Sequence, residues 1–394
     1  MVGRLKRTIY GTRDAAAQWE AYYSKVFEDL EFAVGSFCPC LMWHEGRRIA
    51  VWVHGDDMLL LGKRSDVEWL DEQLRERMMI KRRALLGWGP GRDRSVTILN
   101  RIIELHDDFE GAGRTLTYEP DPRHAEIVIK VLGLDGTSSK AVTTPVIKSD
   151  DNHDDKLLEG TEITKFRSLC MRLSFLAVDL PHLLFPTKEA ARQMQKPTRG
   201  GLARIKRMAR YLKGSPRCIQ TFVEQDESHE LVVMTDSDFA GCPETRKSTS
   251  SSFLFRGKHL IRATSSTQGI QGLSSGEAEF MALVRGASIL IGAGAMARDL
   301  GYQFQLRACL DSSAAKGVAE RRGVGKIRHL HTPLLWLQGR VKQGVLRLSK
   351  VPNNENWSDL ATKVQDARWM NEWLHQCGFR VVEGRAELAL RASM

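Results

Sequence analysis

The stretch LVVMTDSD, Leu231–Asp238, decides the fold. Its apolar run Leu231–Thr235 reads as a strand ending at Asp236. Downstream, Ser252–Phe255 and His259–Arg262 read as two more strands, joined by Arg256-Gly257-Lys258 as a hairpin turn. Ser274 and Glu277 have capping-box spacing, which predicts a long helix reaching about Leu300. Leu306–Leu310 is a fourth strand ending at Asp311, followed by a helix and by helical character over Lys326–Gln343. Val345–Val351 is the next strand, and a last helical piece begins near Asn356. The order is three antiparallel strands, helix, strand, helix, strand, helix: a mixed five-stranded sheet flanked by helices.

Four acids stand out by position. Asp236 and Asp311 end strands, Glu279 lies in the first turns of the long helix, and Asp359 follows the Pro352-Asn-Asn loop. Ends of central strands and adjacent helix starts can converge, and gathered like charges need a cation. Oxygen-only ligands suit Mg²⁺ or Mn²⁺, and a pair of such ions can drive phosphodiester hydrolysis. Each acid alone reads equally as a surface residue or a cap. Asp238 would share the face of Asp236 if the strand continued, and otherwise is a loop acid.

Upstream, Ala16, Trp19, Tyr22, Tyr23, Val26, Phe27 and Leu30 fall at helical spacing. Cys40–Trp43, Arg48–Val53 and Met58–Leu61 read as strands, so Asp56-Asp57 sits at the tip of a β-hairpin. Gly-Asp-Asp is good turn chemistry, yet Asp is disfavoured between strands, so turn and metal site both remain open. Ser65 and Glu68 have capping-box spacing before Val67, Leu70, Leu74 and Met78, which predicts an amphipathic helix. A strand is expected over Ser95–Glu104 and helices over His124–Leu134, Lys165–Leu176 and Arg204–Lys213. The last of these carries Arg204, Lys206, Arg207, Arg210 and Lys213, a solvated basic face or a row of phosphate contacts.

The 394 residues allow two or three domains. At 42% hydrophobic and 27% charged, the composition is that of a globular protein and excludes wholesale disorder. Lys and Arg number 58 against 48 acids, and the net charge of +10 fits a polyanionic partner or simple solubility. No apolar h-region follows the first basic residues, and the longest weakly polar run, Ala287–Ala297, is shorter than a membrane span; an intracellular protein, in cytoplasm or nucleus, is expected. Seven scattered cysteines argue for a reducing compartment. Cys38 and Cys40 lack a second pair at zinc-finger spacing.

Ten ordered blocks resemble the Pol polyprotein of copia-type LTR retrotransposons, from the middle of the reverse transcriptase through ribonuclease H. RLKRTIYGTRDAAAQWE (Arg4–Glu20) is similar to the family's Tyr-Gly block, and His54-Gly-Asp-Asp57 stands where the family has Tyr-Val-Asp-Asp. TTPV (Thr143–Val146), FRSLCMRLSFLAVDLPHLLF (Phe166–Phe185) and ARIKRMARYLKGS (Ala203–Ser215) resemble its connecting segments. TDSDFAGCPETRKSTSSSFLF (Thr235–Phe255), LSSGEAEFMAL (Leu273–Leu283), CLDSSAA (Cys309–Ala315), IRHLHTPLLWLQGRV (Ile327–Val341) and VPNNENWSDLATK (Val351–Lys363) resemble its ribonuclease H blocks.

The resemblance implies a partial palm over 1–80, a thumb or connection region over 81–225 and a ribonuclease H-like domain over 226–394. The fold class it implies is α+β or mixed α/β. It implies a ribonuclease H hydrolysing the RNA of RNA–DNA hybrids with two ions, Mg²⁺ or Mn²⁺, at Asp236, Glu279, Asp311 and Asp359. Glu279 fits the Ala-Glu-aromatic core of its block better than Glu277. Asp56 and Asp57 match the metal-binding pair of the palm, and Arg204–Lys213 would contact the hybrid's phosphates. The partners implied are that hybrid and the rest of the polyprotein, with no membrane.

The chain also departs from the family pattern. Ungapped, Leu310 stands where the family has Asp, so Asp311 is expected to serve only if the strand slips by one residue, which reverses its face. The palm's remaining aspartate lies upstream of the Tyr-Gly block, so the polymerase site is expected to be partial. His329 matches the histidine block, Leu335 stands where the family often has His, and His331 is an alternative imidazole. The competing reading is a degenerate copy that at most binds nucleic acid.

Overall fold

The computed structural model describes residues 11–148, 154–325, 329 and 332–391. Two compact units divide it: 1–83 with 291–304, and 84–290 with 305–394. The division differs from the three segments expected, since 84–225 falls in one unit with most of 226–394.

The first unit opens with α1 (Ala15–Asp29), which buries Tyr23, Val26 and Phe27. An antiparallel sheet follows in the order β1 (Ala33–Val34), β2 (Leu41–His44), β3 (Ile49–His54), β4 (Asp57–Leu61). The expected hairpin forms, with His54 opposite Asp57 across a two-residue tip. Gly55 occupies the left-handed region there at φ 63°, a conformation that favours glycine. Helix α2 (Arg64–Arg77) buries Leu70 and Leu74, but the expected capping box does not form. Ser65 lies inside the first turn, Lys63 is the N-cap, and Glu68 pairs with Arg64 at 2.8 Å instead.

The second unit holds two five-stranded sheets. Antiparallel pairing joins β5 (Ser95–Ile98), β6 (Arg101–His106), β7 (Thr115–Glu119) and β8 (Arg217–Val223). The single strand expected over Ser95–Glu104 is a hairpin. Leu99 and Asn100 both adopt positive φ, 47° and 64°, and reverse the chain. Helices α3 (Arg123–Val131), α4 (Thr161–Asp179), α5 (Leu184–Arg192) and α6 (Arg199–Gly214) follow. Phe166, Leu169, Leu173, Ile205 and Met208 are buried in the core cluster these helices share.

The other sheet carries the long stretch that opened the sequence reading. Its strands are β9 (Glu230–Ser237), β10 (Thr249–Arg256), β11 (His259–Thr267), β12 (Gln305–Leu310) and β13 (Arg347–Lys350), in spatial order β11-β10-β9-β12-β13. The first three are antiparallel, and β12 runs parallel to both β9 and β13. Helix α7 (Ser275–Asp299) crosses back between β11 and β12. It comes so near the sheet that a Cβ on Gly286 would lie 2.2 Å from Thr235 Cγ2. By length and composition α7 is apolar enough to cross a membrane, unlike the short run expected, but half of that apolar window is buried in the protein. Helices α8 (Ser313–Glu320) and α9 (Trp336–Lys342) precede β13. Asp359 sits on a 3₁₀ turn, Trp357–Ala361, rather than on the helix expected from Asn356. Helix α10 (Ala367–Gln376) then leads to β14 (Phe379–Val382), which closes the first of the two sheets against β8.

Candidate active site

Parallel β9 and β12 pair Met234 with Cys309, and two residues further along each strand stand Asp236 and Asp311. Carboxyl ends of adjacent parallel strands are where open sheets carry their sites. Asp311 needs no slip in the ladder. It lies one residue past β12, beyond the last pair, so the alternation of faces no longer governs its direction.

The start of α7 supplies the third acid, and its cap determines which glutamate faces inward. Ser274 Oγ accepts from Glu277 N (3.3 Å), and Glu277 Oε2 accepts from Leu273 N (2.9 Å). The other oxygen of Glu277 meets His329 Nε2 at 2.8 Å. Glu277 is thereby engaged outside the cluster. Glu279 accepts from Ser237 N at 3.2 Å through Oε1, while its buried Oε2 has no hydrogen-bond donor among the described residues. Asp236, Glu279 and Asp311 each offer an oxygen, all within 4.8 Å of one another.

Asp359 adjoins them from the 3₁₀ turn. Thr362 Oγ1 donates to Asp236 Oδ2 (2.7 Å) and lies 3.4 Å from Asp359 Oδ1. Gln365 Nε2 donates to Asp359 Oδ2 (3.1 Å), and Lys363 Nζ meets Asp359 Oδ1 at 2.5 Å. Fully buried Asn356 donates from Nδ2 to Asp311 Oδ2 (3.1 Å) and to the Thr235 carbonyl (3.0 Å). Ser358 Oγ in turn donates to Asn356 Oδ1 at 2.6 Å. Asn356 and Thr362 were missed in the sequence reading, because a neutral amide or hydroxyl in a polar loop carries no spacing signal of its own.

Burial and the charges of neighbouring acids raise the pKa of Asp236 and Glu279. Asp236 is pushed up to about 7, chiefly by desolvation and then by the charge of Asp359. Glu279 is pushed up to about 9 by desolvation, with Asp236 and Asp311 adding to it. At Lys363 burial opposes the charge, but the hydrogen bond to Asp359 together with the charges of Asp359, Asp236 and Asp311 outweighs it and the pKa rises. All-carboxylate oxygen donors suit Mg²⁺ or Mn²⁺, and the orphaned Glu279 Oε2 is a group such an ion would satisfy. The residues therefore fit a divalent cation.

The other sequence-derived candidates lie apart from this cluster. Asp238 accepts from Thr249 N, with burial raising its pKa, and it closes the turn between β9 and β10. Asp56 is exposed at its hairpin tip, where Trp19 Nε1 donates to the Gly55 carbonyl (2.7 Å), and Asp57 pairs with Arg83 at 3.2 Å. No third ligand joins Asp56 and Asp57 in a metal-like group among the described residues. On α6, Lys213 Nζ donates to the carbonyls of Leu134, Gly136 and Ser139, Arg210 to that of Lys140, and Arg207 to Thr144 Oγ1. These three side chains fasten the 134–144 segment, while Lys206 is exposed and Arg204 half-buried. His331 lies outside the described residues.

No family profile matches the chain. The retrovirus-related Pol polyprotein from transposon TNT 1-94 of Nicotiana tabacum is 24% identical over 379 residues, 92% of this chain. That from transposon RE1 of Arabidopsis thaliana is 25% identical over 232 residues, 57% of the chain. The chain spans only 27% and 16% of their respective lengths. Among solved structures, a foamy viral protease–reverse transcriptase in complex with an RNA/DNA hybrid aligns with 92% of this chain and 40% of its own, at TM-score 0.49 and 12% identity. The N-terminal ribonuclease H domain of rv2228c from Mycobacterium tuberculosis aligns with 38% of this chain and 98% of its own, at TM-score 0.26 and 17% identity.

Proposed function

We propose that the chain, whose homologues are retrovirus-related Pol polyproteins, carries over residues 226–394 a ribonuclease H that hydrolyses the RNA strand of RNA–DNA hybrids. The convergence of Asp236, Glu279 and Asp311 within 4.8 Å carries this reading. A bound Mg²⁺ or Mn²⁺ would polarise the scissile phosphate and lower the pKa of its water. The chain's own residues prepare the site. Asp236, Glu279 and Asp311 would hold the cation. Asn356 orients Asp311, and Thr362 orients Asp236. Attack of water on phosphorus would form the new P–O bond and break the bond to the 3′-oxygen, which leaves as a hydroxyl after taking up a proton, the water's own proton passing to solvent. His329, tethered to Glu277, is assigned an auxiliary role.

On α6, exposed Lys206 is assigned to the hybrid's phosphates, whose contacts carry affinity without sequence information. The A-form-like groove and the 2′-hydroxyl would distinguish the RNA strand. Asp56 and Asp57 are assigned to a partial polymerase site, with Arg83 as the cation beside Asp57. The remainder of the polyprotein would supply the rest of that site.

A degenerate copy that binds nucleic acid without cutting it is the second reading. The observation in its favour is that Asp359 is engaged by Lys363 and Gln365. The two readings part on substrate. With Mn²⁺ or Mg²⁺, the purified chain should cut an end-labelled RNA–DNA hybrid and leave RNA and DNA duplexes whole. Binding of the hybrid without cleavage would establish the second reading instead.

A further inference from the structure

The four acids are not equivalent in what already holds them. Among the described residues, Glu279 Oε2 has no donor, and Asp311 receives a neutral donor from Asn356. Both oxygens of Asp359, by contrast, are covered by the chain: Oδ1 by Lys363 at 2.5 Å, and Oδ2 by the Gln365 amide at 3.1 Å. The Gln365 amide also donates to the Asp359 main-chain carbonyl at 3.1 Å, which fixes the amide beside the carboxylate. Lys363 lies one turn after Asp359, on a segment held by Thr362 to Asp236 and by the hydroxyl of Ser265 to the Ala361 carbonyl (2.6 Å).

An ammonium seated on Asp359 supplies positive charge where a second divalent ion would have to sit. Two cations that share one carboxylate repel at short range, and a dication entering there must first displace the lysine. Lys363 also feels the charges of Asp236 and Asp311, but its direct contact is with Asp359. We propose that Lys363 is the resident cation of the Asp359 side, so that the centre takes one divalent ion, at Asp236, Glu279 and Asp311, in place of two. The inference rests on the metal-centre reading above and departs from the two ions that the sequence resemblance implies. Lys363 is on this view a positioning and charge-balancing residue, not a ligand.

The test counts ions rather than products. Mn²⁺ is titrated into the full chain and followed by electron paramagnetic resonance of free and bound Mn²⁺, for wild type, Lys363→Met, Lys363→Arg and Asp236→Asn. Wild type and Lys363→Arg should hold one ion. Lys363→Met should hold two, with the spectrum of a spin-coupled Mn²⁺ pair, and Asp236→Asn should lose the first ion. The Lys363 side chain is 57% exposed, so its removal opens no core cavity. Two ions in wild type, or one in Lys363→Met, would overturn the inference and leave the metal centre standing. No bound Mn²⁺ in any of these proteins would instead overturn the metal-centre reading.

Discussion

Burial of Asp236 and Glu279 beside two more acids makes this site costly when it is charged without a cation. Their folded-state pKa values, about 7 and about 9, lie above the ordinary carboxylate range. Protons are then bound more tightly in the folded state than in the unfolded one. The associated stability is fully present below about pH 4 and is lost as pH rises through about 7 and then about 9. Metal-free protein should therefore show a Tm that falls between pH 5 and pH 9 in differential scanning fluorimetry. Asp236→Asn should flatten the lower part of that fall, and Mn²⁺ should reverse it by replacing the protons. A Tm that rises over this window, with or without the substitution, would contradict the assignment. At this scale the charged ligands were legible in sequence, since an acid ending an apolar strand is conspicuous. Their neutral supports were not, because Asn356 and Thr362 act through buried hydrogen bonds that only the folded chain creates.

Among the elements, the contact between α7 and β9 sets the depth at which Glu279 meets Asp236. Gly286 permits that approach, since a methyl group there would lie 2.2 Å from Thr235 Cγ2 on a fully buried, β-branched side chain. Gly286→Ala would gain up to about 1 kcal/mol of helix propensity. Overpacking costs about 1–3 kcal/mol, so the net effect should be destabilising. Thermal unfolding should show a Tm lower by at least about 2 °C, and an unchanged or higher Tm would mean the helix can shift without penalty. The strands β9 to β11 and helix α7 were legible because their apolar spacing is regular and their turns and cap are local. The sheet of β5, β6, β7, β8 and β14 was largely missed. Its strands come from 95–119, 217–223 and 379–382, and they bury polar residues such as Thr115, Thr117, Glu119 and Gln220. Glu119 is satisfied across the sheet by Arg217, at 2.7 Å, a partner 98 residues away that no local pattern reveals.

For the whole molecule, two compact units with separate cores should not melt as one. Tyr23, Phe27, Met42 and Leu70 belong to one cluster, and Phe166, Leu173, Phe253 and Trp373 to another. Calorimetry should therefore require two transitions, while a single one with equal calorimetric and van't Hoff enthalpies would show one cooperative unit. The net charge of +10 suits a polyanionic partner, and on α6 Lys206 is exposed while Arg207, Arg210 and Lys213 hold the chain together. The claim that joins these scales is hydrolysis at the acid cluster. The most direct measurement is cleavage of a 5′-labelled RNA–DNA hybrid in Mg²⁺ or Mn²⁺ by wild type, Asp236→Asn and Glu279→Gln at matched fold and concentration. The account expects metal-dependent cutting of the RNA strand by wild type and a loss of about 10²-fold or more in each variant. Cleavage that persists undiminished in both variants, or none in wild type, would contradict it.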